Sequence, residues 1–276
     1  MTEHDTRNLL LPLLSKEMVS IDVAAQKSEC TILMYSLYAC IAQQAPKLEK
    51  LLLPNSSSAG LSGTCFPELQ TLTLRDVRCK DAPAVESMTS LQDLTIIHQT
   101  STLSKAAINL ARQTARKADP LPNLVNLEVG AITIQALESI LLSFPPLMTP
   151  KLCSLLITHC HDGWKRILDL LESRIAPTRL INLELWFRSG KPDTKTYKGQ
   201  WLGLGLSRDH LRSILLYHNL LKLHISASKF HGFHIDVDDE DIKALAMACP
   251  KLIDIVLEGS AQQTTSRITL KVFKYL

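Results

Sequence analysis

Pro67-Glu-Leu69-Gln-Thr-Leu72-Thr-Leu74 reads as a break followed by a short strand. Proline cannot continue a helix, and it biases the residue ahead of it towards extended chain. Leu72 and Leu74 stand two residues apart, so a strand turns both to one face and leaves Thr71 and Thr73 on the other. So short a strand cannot bury two leucines by itself. The stretch makes physical sense only if neighbouring strands present the same apolar pair.

Seven further copies are present, all of the form L-x-x-L-x-(L/I/V). Leu48 leads to Leu51 and Leu53, Leu91 to Leu94 and Ile96, Leu124 to Leu127 and Val129, and Leu152 to Leu155 and Ile157. Leu180 leads to Leu183 and Leu185, Leu220 to Leu223 and Ile225, and Leu252 to Ile255 and Leu257. Successive anchor leucines are 21, 22, 33, 28, 28, 40 and 32 residues apart. Most of these lie near the 20–29 residue period of leucine-rich repeats, and the longer gaps read as inserted loops.

Between the copies the apolar spacing turns helical. Thr31 to Gln44 reads as a helix, as do Ile134-Leu137-Leu141-Phe144, Trp164-Ile167-Leu168-Leu171-Ile175, Leu211-Ile214-Leu215 and Ile242-Leu245-Ala246-Cys249. Thr133, Asp162, Ser207 and the pair Asp238-Asp239 are placed to cap the last four. Strand, loop, helix, break and strand again describe an α/β fold. An ordinary parallel α/β domain would alternate too, but recurrence of one motif in one phase favours a leucine-rich-repeat solenoid, with a curved parallel sheet on its concave side and helices outside. Residues 1–28 are expected to be an N-terminal segment or cap. Residues 29–276 form the repeat domain of about eight irregular repeats, with an insert at 188–206.

Pro67 to Leu74, together with Asp238-Asp-Glu-Asp-Ile-Lys-Ala-Leu-Ala-Met-Ala-Cys-Pro-Lys-Leu252, resembles the leucine-rich repeats of F-box proteins from filamentous fungi. The second stretch matches a D-E-D-(I/L)-x-x-(L/I/M)-A-x-x-x-P-x-L pattern of a late repeat in that family. The resemblance runs from about residue 30 to about residue 260. It implies a substrate receptor of an F-box-type ubiquitin ligase, with ligase components as possible partners. The family opens with an F-box, whereas here a repeat-type helix is already running at Thr31, and Leu11-Pro-Leu-Leu14 is at best a fragment of one. The resemblance therefore covers the receptor half without the ligase-docking half.

Thirty basic residues against 27 acidic leave a formal net charge of +3. The densest basic stretch, Arg112, Arg116 and Lys117, reads as a solvated helix face rather than a nucleic-acid stripe. Seven cysteines, Cys30, Cys40, Cys65, Cys79, Cys153, Cys160 and Cys249, are scattered singly, which suits reduced thiols in the cytoplasm or nucleus. The acidic start, Met-Thr-Glu-His-Asp, does not read as a signal peptide, and the uncharged run Cys30 to Pro46 is too short and polar to span a bilayer. Neither nucleic acid nor membrane is expected as a partner.

Motifs that could carry chemistry are weak. His159-Cys160-His161 would point to alternate faces of a strand, with no fourth metal ligand signalled. The run His231, His234, Asp236, Asp238, Asp239, Glu240 and Asp241 resembles a metal cluster. The acids are better explained as a helix start, and an EF-hand would need Gly and Glu where Asp241 and Met247 stand. Gly203-Leu-Gly205 lacks the third glycine of a dinucleotide loop, and no G-x-S-x-G elbow occurs. No enzyme, cofactor or metal is implied.

What remains is the strand face turned away from the leucines. It should carry Arg75, Glu128, Glu184, Trp186, Lys222, His224, Asp254 and Glu258, a polar surface of both signs. Trp186 stands out because tryptophan is enriched in binding hot spots, although packing beneath the insert would explain it equally well. Tyr197 and Trp201, on the insert, could fold over the same rim. These residues are the candidate surface for a protein partner of unknown identity.

Overall fold

The computed structural model describes residues 14–22, 31–57, 61, 66–76, 85, 87–98, 121–131, 154–158, 164–186, 205–227 and 234–259. Nine strands form one sheet in chain order: β1 (Ser20–Asp22), β2 (Lys50–Ser57), β3 (Thr71–Asp76), β4 (Asp93–His98), β5 (Asn126–Ala131), β6 (Ser154–Thr158), β7 (Asn182–Trp186), β9 (Lys222–Ser226) and β11 (Asp254–Glu258). Every neighbouring pair is parallel. Two further strands, β8 (Gly205–Ser207) and β10 (His234–Asp236), pair parallel in a small sheet of their own. The described helices are α1 (Thr31–Gln44), α2 (Trp164–Arg174), α3 (Arg208–Ile214) and α4 (Asp239–Ala248). The fold is mixed α/β with parallel sheets and few helices.

All eight expected strands are present, adjacent and parallel. Register explains why the motif recurs in phase. Ile21, Leu51, Leu72, Leu94, Leu127, Leu155, Leu183, Leu223 and Ile255 lie level across the sheet. Two residues on, Leu53, Leu74, Ile96, Val129, Ile157, Leu185, Ile225 and Leu257 form a second level row. Where their side chains are described, both rows are buried as far as β9, and they share one core with Tyr38, Ile41, Ile167, Leu171, Leu211, Ile214, Ile242 and Leu245 of the helices. Each fully buried leucine of this kind contributes about 1.5–3 kcal/mol. On β11 the rows change character: Ile255 and Leu257 are only partly buried.

The proline ahead of each copy does more than stop a helix. It is the second residue of a tight turn, the position its fixed backbone angle suits. The N–H groups of Leu48, Leu69, Leu124 and Leu252, each two residues after proline, donate to the carbonyls of Ala45, Phe66, Leu121 and Cys249 at 3.0 to 3.3 Å. Leu91 and Leu220 make the same turn without proline, bonding to Met88 and Tyr217. The residue ahead of proline therefore opens a turn, where extended chain was expected. Leu121 opens its turn with φ at 56°, in the left-handed region that costs a non-glycine residue roughly 1 kcal/mol, and its complete burial offsets that cost.

Each turn also ties its rung to the one before. The carbonyls of Val19, Glu49, Gln70, Gln92, Ile181 and Leu221 each accept two successive N–H groups from the next rung. Side chains add lateral bonds: Ser90 Oγ donates to the Pro67 carbonyl, Asn123 Nδ2 to that of Thr89 and Asn219 Nδ2 to that of Thr178, at 2.6–2.7 Å.

Three features differ from the sequence reading. Strand β1 adds a rung inside the stretch read as a terminal segment or cap, pairing Ile21 with Leu51. The last two residues of the expected insert, Gly205 and Leu206, belong to β8, with Leu206 fully buried. The expected capping acids are confirmed: Asp238 accepts from the N–H groups of Glu240 and Asp241, and its own N–H donates to Asp241 Oδ2. Arg208, opening α3, donates from Nε to Asp241 and lies 3.4 Å from Asp238, so the two helix starts are joined. The helix expected at Ile134 to Phe144, the His159–His161 triplet, His231, the basic run at 112–117 and Tyr197 and Trp201 of the insert lie outside the described residues.

Candidate protein-binding face

The sheet presents its buried rows to the described helices and three polar rows to the other side. One runs Lys50, Thr71, Asp93, Asn126, Ser154, Asn182, Lys222 and Asp254; the next includes Thr73, Thr95, Glu128, Glu184, His224 and Val256; the third includes Gly130, Trp186, Ser226 and Glu258. The alternation follows directly from strand geometry. Most described side chains in these rows are half-buried or exposed, while Gly130 and Ser226 are buried.

Four of the expected residues come together on β7 and β9. Glu184 uses both carboxylate oxygens: Oε2 accepts from the indole Nε1 of Trp186 at 3.2 Å, and Oε1 lies 3.0 Å from Lys222 Nζ. That hydrogen bond, and the attraction of the same carboxylate, raise the Lys222 pKa above its usual value. The Trp186 ring packs against His224, with centroids 4.9 Å apart and planes inclined by 46°. The imidazole Nε2 of His224 is enclosed and has no hydrogen-bond partner. Trp186 is half-buried, between the exposed anchor and the packed core residue that the sequence left open. Its ring rests on the face itself.

The remaining expected residues are spread along the face. Glu128 accepts from Thr95 Oγ1 at 3.4 Å and Glu258 from Ser226 Oγ at 2.6 Å. Asp254 is exposed at the last rung. Arg75 lies in β3, with its side chain outside the description. Sequence reasoning missed Asp93, which accepts from Asn126 Nδ2 and, at 3.3 Å, from Thr71 Oγ1. Register was the signal, since Thr71, Asp93 and Asn126 occupy the same place in successive motifs. It also missed Asp22 and Lys50 on the first two rungs.

Cys40 and Cys249 are free thiols, both buried. Among the described residues no group of three or more His, Cys, Asp or Glu is placed to hold a metal ion, and no helix is long and apolar enough to cross a membrane. His234 and Asp236 are exposed on β10, while Asp238 and Asp241 are engaged in capping and with Arg208.

No protein-family model matches the chain, and no curated protein matches it. Among solved structures, the chain is similar to one described as the crystal structure of the Rad7 and Elc1 complex in yeast. Identity is 13%, covering 97% of this chain and 87% of that one, with a TM-score of 0.33. A likeness of that size carries no argument about this chain's function.

Proposed function

We propose that the chain is a leucine-rich-repeat solenoid that binds another protein on the outward, concave face of its sheet and has no catalytic role. The observation that carries this reading is the group Glu184, Trp186, Lys222 and His224, a half-buried aromatic pair beside a charge pair on a regular strand face. Aromatic anchors ringed by polar groups are the usual make-up of a binding hot spot. The reading places the protein in the cytoplasm or nucleus, where buried free thiols such as Cys40 and Cys249 persist. Photo-cross-linking residues placed at Thr95 and Asn182, on the face, should capture a partner in cells, whereas the same residue at Asp169 or Arg212, on the helices, should not. Adducts from the helix positions alone would overturn the reading.

A more specific version is a substrate receptor of an F-box-type ubiquitin ligase. It is supported by the family pattern at Asp238 to Leu252, which forms α4, its caps and the turn into β11. Recovery of a ligase scaffold adaptor among the cross-linked partners would favour it, and its absence would leave the general binding role.

A further inference from the structure

We propose that the outward face takes a lysine- and arginine-rich polypeptide segment; this rests on the face being the binding surface. The sign of its charge carries the inference. At the described outward positions the carboxylates are Asp22, Asp93, Glu128, Glu184, Asp254 and Glu258, and the lysines are Lys50 and Lys222. Adding Arg75 at the end of β3 leaves acids in excess by two to one. The chain as a whole has the opposite balance, with 30 basic residues against 27 acidic. The face therefore departs in sign from the protein that carries it.

How these acids are held makes the same point. Like charges directly opposite each other on neighbouring strands repel. Here the carboxylates are spaced by uncharged donors: Thr71 and Asn126 flank Asp93, Thr95 bonds Glu128, and Ser226 bonds Glu258. These hydroxyls and amide fix the carboxylates in place without cancelling their charge. Glu184 alone among the six is matched with a described cation, Lys222. A cationic side chain arriving at Asp93, Glu128 or Glu258 meets an acceptor already oriented, so little ordering entropy is lost in forming a charge-assisted bond. The half-buried Trp186 ring supplies a surface on which a guanidinium can rest. An acidic or purely apolar partner would find neither.

The test uses the full chain and two labelled peptides, one alternating arginine and serine, the other glutamate and serine. Each is about 12 residues long, enough when extended to cross nine strands spaced about 4.8 Å apart. The arginine peptide should bind by fluorescence anisotropy in about 50 mM salt and weaken at least about tenfold by about 300 mM, while the glutamate peptide should not bind. A triple variant, Asp93→Asn, Glu128→Gln and Glu258→Gln, keeps an oxygen for each neighbouring donor and should weaken arginine-peptide binding about tenfold with an unchanged circular dichroism spectrum. Glu128→Gln alone serves if the triple variant fails to fold, and should weaken binding about twofold. No binding by the arginine peptide, equal binding by the glutamate peptide, or indifference to the substitutions overturns the proposal. Cross-linking from Thr95 and Asn182 that persists in any of those cases keeps the face as a binding surface and discards the basic partner.

Discussion

The indole of Trp186 leans across to the imidazole of His224 on the next strand, 4.9 Å between ring centroids, while its Nε1 donates back to Glu184 on its own strand. One side chain thus links two rungs at their outward face and takes no place in the leucine rows. Trp186→Ala should weaken binding of the protein partner by at least about 2 kcal/mol, roughly thirtyfold in Kd. The melting temperature should fall by no more than about 2–4 °C, since only one contact on the face is lost. Calorimetric titration and a thermal scan on the same preparation check both. A large fall in melting temperature would identify Trp186 as part of the core. Unchanged binding would move the partner to another surface.

Position along the ladder should set the cost of losing a leucine. Leu183 has a rung on each side and is fully buried, so Leu183→Ala should cost about 2–5 kcal/mol in urea unfolding. Leu155, level with it on β6, is expected to behave alike. Leu257→Ala should cost about half as much or less, because its side chain is only partly buried on β11. Hydrogen exchange on the Leu183 variant should show protection lost first on β6, β7 and β9, as befits units that share a core only with neighbours. Uniform loss across the chain at low denaturant would contradict that construction.

The start of α4 offers a separate test. Asp238 caps two N–H groups and lies beside Arg208, so Asp238→Ala should cost about 1 kcal/mol. Asp238→Asn keeps the cap and should cost less than half of that. If both variants lose the same amount in chemical denaturation, the charge on Arg208 is what matters, and the cap is secondary.

Alkaline pH should loosen the same end of the molecule. Burial pushes the Cys249 thiol up to about 11 from its ordinary 9.0, and its Sγ donates to the Tyr217 carbonyl. The folded state holds this proton more tightly than the unfolded chain does. The stability it contributes is therefore complete below about pH 9 and lost as pH rises towards 11. Tyr217, also raised by burial, acts in the same direction at higher pH. Melting temperatures measured from pH 8 to 11 should fall less steeply for Cys249→Ala than for the native chain. Equal slopes would assign the alkaline loss to other groups.

The strands were legible because one inward pair, such as Leu72 and Leu74, must meet an identical pair on each side, and that requirement prints itself on the sequence at every rung. Helix starts at Ser207 and Asp238 were legible because capping needs particular side chains at particular places. Strand β1 was not, since Ser20-Ile21-Asp22 offers one apolar residue and no anchor leucine ahead of it. Nor was the small sheet: Gly205-Leu206-Ser207 and His234-Ile235-Asp236 each hold a single apolar residue, and only their pairing makes them strands. The face was legible in outline, Glu184 beside Lys222 and Trp186 near His224, because register follows from the leucines. Its surplus of acid was not, because Asp93, Asp22 and Lys50 acquire meaning only when all rungs are laid side by side.

The carbonyls that accept two successive N–H groups from the following rung sit just ahead of the strands. All the constraints that one rung places on the next are gathered there and along the strands themselves. The distance between successive anchors can therefore run from 21 residues to 40 without disturbing the ladder. Mutation can lengthen, shorten or replace a connection while the sheet keeps its register, and each change alters what hangs beside the face. A lineage of such proteins can acquire new partners by editing its loops, with the leucines held constant as the part that heredity cannot afford to revise.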